Sequence, residues 1–107
     1  MTVLFGLMKL TKDAEIRTVE SGIKVASLSL VYEWGRPDEN NNRPSTEVHA
    51  FLWGREAEET APLLRKGGQH HFVLNNLRID GPAGNGQALA ADVLQLELMN
   101  TNRAHVS

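Results

Sequence analysis

In the segment TEVHAFLWG (Thr46–Gly54), strict alternation sends Val48, Ala50 and Leu52 to one side of an extended chain. Glu47, His49, Phe51 and Trp53 fall on the other side. The first set is an ordinary core stripe. The second places an acid, an imidazole and two large rings on the face that should meet water.

The same alternation organises most of the chain. VLFGLMKL (Val3–Leu10) reads as a strand, with Gly6 a bulge or a point of close approach. AEIRTV continues it after a turn at Lys12–Asp13, and ESG (Glu20–Gly22) makes a tight turn. Ile23–Trp34 is a long strand with Ala26, Leu28, Leu30, Tyr32 and Trp34 on its even side; the leucines are core, and the rings run past it. Gly35–Ser45 (GRPDENNNRPS) is a long exposed loop by composition. After Gly54 the pattern turns helical. Pro62 fits the first turn of a short helix capped by Thr60 or Ala61, with Arg65 and Lys66 in its last turn and Gly67 after it. QHHFVLNNLRID is a fourth strand, GPAGNGQ (Gly81–Gln87) a hairpin loop, and ALAADVLQLELM a fifth strand whose alternation slips between Val93 and Leu94. Three strands, one short helix and two strands in a single small domain point to a barrel or sandwich.

Composition narrows the picture. The chain has 107 residues, enough for one domain with a real core. It has no cysteine, so disulfides and thiolate metal sites are excluded, and a reducing compartment suits it. No apolar run approaches the ~20 residues of a membrane span. MTVLFGLMKL lacks the basic flank and cleavage site of a signal peptide and is read as the first strand of a cytoplasmic protein. With 11 basic and 13 acidic residues the chain is not a strongly basic nucleic-acid coat, so any cationic surface must come from clustering in three dimensions.

Other chemistry is poorly supported. Adjacent His70 and His71 point to opposite faces of a strand, so only one could join His49 at a metal; no metal site is expected. GPAGNG has no following Lys-Ser/Thr and no helix, so it is not a phosphate loop. No nucleophile stands beside a base in any motif, and no enzyme activity or cofactor is expected.

Five short pieces, in order, carry a resemblance: DAEIR (Asp13–Arg17), SGIKVASLSL (Ser21–Leu30), TEVHAFLWGREAE (Thr46–Glu58), LLRKGGQ (Leu63–Gln69), and Leu77–Arg78 with the hairpin before ADVLQLELM. Together they resemble the OB-fold of the bacterial single-stranded DNA-binding (SSB) family over residues 2–99. The resemblance implies an all-β fold: a five-stranded Greek-key barrel with one short helix between the third and fourth strands. Residues 1–99 would form the OB domain and 100–107 a short polar tail.

Single-strand binders stack bases on exposed aromatics beside a basic groove, which accounts for the rings on the Thr46–Gly54 strand. Trp53 takes the place of a stacking phenylalanine of the family. Phe51 and His49 precede it, His49 replacing a phosphate-contacting arginine. Trp34 is similar to the family's tryptophan at the end of the second strand, and Tyr32 leans the same way. Lys9, Arg17, Lys24, Arg36, Arg43, Arg55 and Arg78 are the candidates for phosphate contacts, with Arg36 and Arg43 flanking the long loop. The chain also departs from the family. Glu47 or Val48 replaces one stacking tryptophan, another falls near Pro82, and Ile79, Asp80 and Gly81 replace basic residues. The sequence ends at Ser107 without the long Gly/Gln/Pro-rich tail and acidic tip that recruit partner enzymes in the family.

The expected function is sequence-independent single-stranded DNA binding in replication, recombination or repair. The protein would be a homo-oligomeric, cytoplasmic, nucleoid-associated partner of DNA and of replication or restart proteins, with no membrane and no small-molecule substrate. Two alternatives stand beside it. One is a PriB-like primosomal adaptor. The other is an OB-fold protein-interaction module with weakened DNA binding.

Overall fold

A computed structural model describes residues 3–80 and 88–99 of the chain. The strands are β1 (Val3–Leu10), β2 (Glu15–Thr18), β3 (Lys24–Glu33), β4 (Ser45–Trp53), β5 (Gln69–Asp80) and β6 (Ala88–Glu97). Between β4 and β5 lie α1 (Arg55–Thr60) and a 3-10 turn over Ala61–Leu63. The expected hairpin loop at Gly81–Gln87 and the tail at 100–107 fall outside the described residues.

Hydrogen bonding runs β1-β5-β6-β4-β3-β2, and β1 also pairs with β3, so five strands close into an OB-fold barrel. The closing contact is short, Lys9↔Val31 and Leu10↔Leu30, whereas β1 and β5 pair from Val3↔Asn75 to Lys9↔Gln69. One pair is parallel: β4 meets β6 from Val48↔Leu89 to Phe51↔Asp92. AEIRTV does not prolong β1 along its own neighbours. A bend at Thr11–Lys12 lets β2 leave the ring and hang on β3 as a hairpin, from Glu15↔Ser27 to Thr18↔Lys24.

The inner stripes meet as the alternation requires. Met8 and Leu10, Leu28 and Leu30, Val48 and Leu52, and Phe72 and Leu74 share one buried core. Burial of each such large side chain stabilises the fold by roughly 1.5–3 kcal/mol. The slip in the last strand lies at Leu94, which has no opposite residue between Val73↔Gln95 and Leu74↔Val93.

The helical segment divides in two. Arg55–Thr60 is α-helical, and Pro62 falls in the first turn of a following short 3-10 helix with Thr60 as its N-cap, which ends before Arg65 and Lys66. Proline has no N–H for the carbonyl four residues back, so the α-helix stops before it. Glu56 and Glu58 lie in its first turn, and only Ala57 of the helix is buried. Gly35–Pro44 is also more ordered than a plain loop. The Trp34 N–H donates to Pro44 O, and Asp38 Oδ1 accepts the Asn40 and Asn42 N–H groups, so β3 and β4 continue into a turned arm. No helix among the described residues is long and apolar enough to cross a membrane.

Candidate nucleic-acid interface

The outer surface of β4 forms rows with its neighbours. Trp53 stands beside Val25 and then Arg17. Phe51 stands between Ser27 and Asp92, with Asn75 beyond Asp92. His49 stands between Ser29 and Ala90, with Arg78 beyond, and Glu47 stands beside Val31 and then Lys9. Trp53 is 50% exposed, Phe51 is half-buried and His49 is exposed. Val25, opposite Trp53, is fully buried although it faces out, so its neighbours cover it. At ~4.8 Å per strand, Arg17 lies about 10 Å across the sheet from Trp53.

A polar cluster joins the rings. Arg78 places its guanidinium carbon 5.7 Å from the Phe51 ring centroid, within cation–π range. Its Nη2 lies 3.5 Å from Asp92 Oδ1, and its Nη1 donates to Asn76 O at 2.9 Å. Asp92 Oδ1 also accepts the Trp53 indole N–H at 3.4 Å, and Oδ2 accepts Asn76 Nδ2–H at 2.9 Å. Burial pushes the Asp92 carboxyl up, but the Asn76 and Trp53 hydrogen bonds and the Arg78 charge outweigh it and hold it below its ordinary value. Asn76 has φ 55 and sits in the register shift between Asn75 and Arg78. Asparagine tolerates this conformation, and the bulge re-aims Arg78 toward Phe51.

Asp92 and Asn76 are the members of the cluster that the sequence reading missed. Both left a signal. Asp92 is the polar residue between inward-facing Ala91 and Val93, and the Asn75–Asn76 doublet interrupts an apolar strand.

The remaining candidates are dispersed. Lys9 borders the lower end of the face, about 20 Å along β4 from Trp53 at ~3.3 Å per residue. Arg55 is exposed at the start of α1, just past Trp53. Arg36 and Arg43 are exposed on the β3–β4 arm. Three residues are not brought to the face. Lys24 takes the opposite parity to Val25, and its Nζ donates to Thr18 Oγ1 at 2.7 Å. Tyr32 turns inward and packs against the core. Trp34 follows β3 at the end far from Trp53, where its indole N–H donates to Thr46 Oγ1 at 2.9 Å, and it is 48% exposed. Positive charge on the face is interrupted by Glu15, Glu47 and Asp92. Among the described residues no three acidic or imidazole groups are grouped to hold a metal ion.

No family model matches the chain. It is 34% identical to single-stranded DNA-binding protein A of Bacillus subtilis over 65 residues, which is 61% of this chain and 37% of that protein. It is 32% identical to single-stranded DNA-binding protein 2 of Listeria monocytogenes over 65 residues, 61% of this chain and 39% of that one. The chain thus spans less than two fifths of the length of these relatives. Among solved structures, a deletion mutant of the Thermus aquaticus single-stranded DNA binding protein superposes with a TM-score of 0.69 at 20% identity, covering 94% of this chain and 51% of that one. PriB from Ralstonia solanacearum superposes with a TM-score of 0.63 at 17% identity, covering 92% and 99%. In sequence over about three fifths of its length, and in fold, the chain resembles the OB-fold single-stranded DNA-binding proteins.

Proposed function

We propose that this protein binds single-stranded DNA without sequence preference, as a binding protein and not an enzyme. The observation that carries the reading is Trp53, a half-exposed indole on the outer face of a closed barrel, beside Phe51 and within one sheet's width of Arg17 and Arg78. In this reading Trp53 and Phe51 stack bases. Arg78, Arg17, Lys9 and His49 line the strand's path across the face. Arg55, Arg36 and Arg43 meet phosphates at its margins, and Trp34 offers a separate platform at the far end. Lys24 and Tyr32 lie off this path. Replication, recombination and repair in the cytoplasm are the processes such binding would serve.

A homo-oligomer, dimer or tetramer, belongs to the same proposal. Val3, Phe5 and Leu7 of β1 and Leu94 of β6 are exposed on the β1-β5-β6 side of the barrel. Exposed apolar side chains of this kind favour association.

Titration with oligo-dT at two salt concentrations tests the reading. Tryptophan fluorescence should be quenched, and affinity should fall steeply with salt. Neither effect at low salt would reject it. A second reading, a primosomal adaptor of the PriB kind, rests on likeness of fold alone, at 17% identity. A dimer mass by light scattering together with capture of a helicase or its loader would select it.

A further inference from the structure

We propose that Asp92 competes with the DNA phosphate for Arg78, and that the Arg78–Asp92 pair is a latch capping the Phe51 stacking surface until single-stranded DNA displaces it. This inference rests on the single-strand reading above.

The geometry gives Arg78 two tasks that DNA binding sets against each other. Its guanidinium lies over the Phe51 ring, where a base would have to lie to stack. The same guanidinium faces Asp92 Oδ1 at 3.5 Å. A phosphate presents paired anionic oxygens as a carboxylate does, so it can take over the Arg78 Nη2 contact with similar geometry. The pair is partly exposed, with 39% of the Arg78 and 27% of the Asp92 side chain accessible, and ion pairs at such positions are held weakly. The latch can therefore open at a modest cost.

The two sides of the latch are anchored unequally. Asp92 is fixed by the Trp53 indole and by Asn76 Nδ2, so it stays where it is. Arg78 keeps one hydrogen bond to the Asn76 carbonyl, near its own place in the chain. Release from Asp92 leaves the outer part of its side chain free to follow a phosphate. That movement uncovers the Phe51 face. Base stacking on Phe51 and phosphate pairing with Arg78 are thus one coupled event. The carboxylate that remains beside Trp53 opposes DNA throughout and holds affinity below what the rings and cations would otherwise give.

The test uses the full chain and oligo-dT, comparing wild type, Asp92→Asn, Arg78→Gln and the double variant. Asp92→Asn removes the charge and keeps an acceptor oxygen for one of its two donors, Trp53 or Asn76. It is expected to bind about three- to tenfold more tightly at low salt, because no carboxylate then competes with the phosphate for Arg78. In the Arg78→Gln background most of that gain should vanish, because no latch remains to open. Binding by Asp92→Asn that is equal to or weaker than a measurable wild-type affinity overturns the latch and leaves the single-strand reading standing. Absence of binding by every variant overturns both. A wild-type measurement needs no variant to fold: the Arg78 side-chain Nε–H resonance should shift as oligo-dT saturates the protein. An unmoved resonance at saturation overturns the latch.

Discussion

A methyl group placed on Gly6 would stand 2.8 Å from Cε1 of Tyr32. The Tyr32 ring lies against the β1 backbone next to the short seam where β1 and β3 close the barrel. Gly6 also has φ +154, which side-chain-bearing residues rarely adopt. Gly6→Ala is therefore expected to destabilise the protein by about 1–3 kcal/mol. At roughly 4–8 °C per kcal/mol for a domain of this size, thermal melts would resolve that loss. An unchanged midpoint would mean that Tyr32 swings aside without cost.

Trp53→Ala separates surface from core. The side chain is half-exposed and outside the buried cluster, so the fold should survive, with a small loss from uncovering Val25. Removing one stacking platform should weaken oligo-dT binding by about 1–3 kcal/mol. Fluorescence anisotropy of a labelled oligonucleotide measures it. Trp34→Phe would serve as the companion, since it keeps a ring but loses the bond to Thr46 Oγ1. If Trp53→Ala binds as wild type does, the Trp53 face is not the DNA surface.

Much of this face was legible before any coordinates. Alternation alone put Phe51 and Trp53 outward and Val48, Ala50 and Leu52 inward, because a strand has period two and admits few exceptions. The candidates that lie off the face do so by the same parity. Trp34 and Tyr32 share the parity of the inner stripe, so the ring at the end of β3 points away from the row containing Trp53. Lys24 is likewise one residue off the outward set. The Asp92 cluster depends on a bulge at Asn76 and on a parallel pairing between β4 and β6, and neither long-range register is written in a local pattern. Pro62 marks the first turn of the 3-10 helix with Thr60 as its cap, but that turn stops short of Arg65 and Lys66 and the α-helix lies before it.

Asn76 offers a test of that bulge. Its φ of 55 costs most residues about 1–2 kcal/mol, and its side chain also holds Asp92 Oδ2. Asn76→Ala is expected to lose both the backbone tolerance and the hydrogen bond. Asn76→Gly restores the first and loses only the second. Urea midpoints should therefore rank wild type above Gly above Ala. A reversed order of the two variants would show that the backbone there is not strained.

His70 makes stability depend on pH. It is buried, and its Nδ1 accepts the Met99 backbone N–H at 3.0 Å, so the neutral ring is the one the fold holds. Desolvation by burial lowers its proton affinity below the ordinary value of 6.5, which the unfolded chain retains. Below that value the unfolded state binds the proton first. The stabilisation is complete above about pH 6.5 and is lost as pH falls from there toward the lowered folded value. Urea midpoints of wild type should decline across that window. His70→Asn should flatten the decline, and an equal decline in both would assign the effect elsewhere.

The exposed face of β1 yields the last expectation. Phe5 is 69% exposed, and Val3 and Leu7 flank it on the same side of the strand. β1 has β5 along one edge, while among the described residues its other edge meets β3 only at Lys9 and Leu10. An unpaired edge next to an apolar face invites a second chain. Phe5→Glu would put a charge at the centre of that contact without touching the buried cluster. If the chain is a homo-oligomer through β1, light scattering should show the mass of wild type fall to that of a smaller species, with the thermal unfolding of the monomer still cooperative. Oligo-dT binding per chain should persist, because Trp53 and Phe51 lie on β4, which does not pair with β1. A wild-type monomer, or a variant of unchanged mass, would remove β1 from the interface.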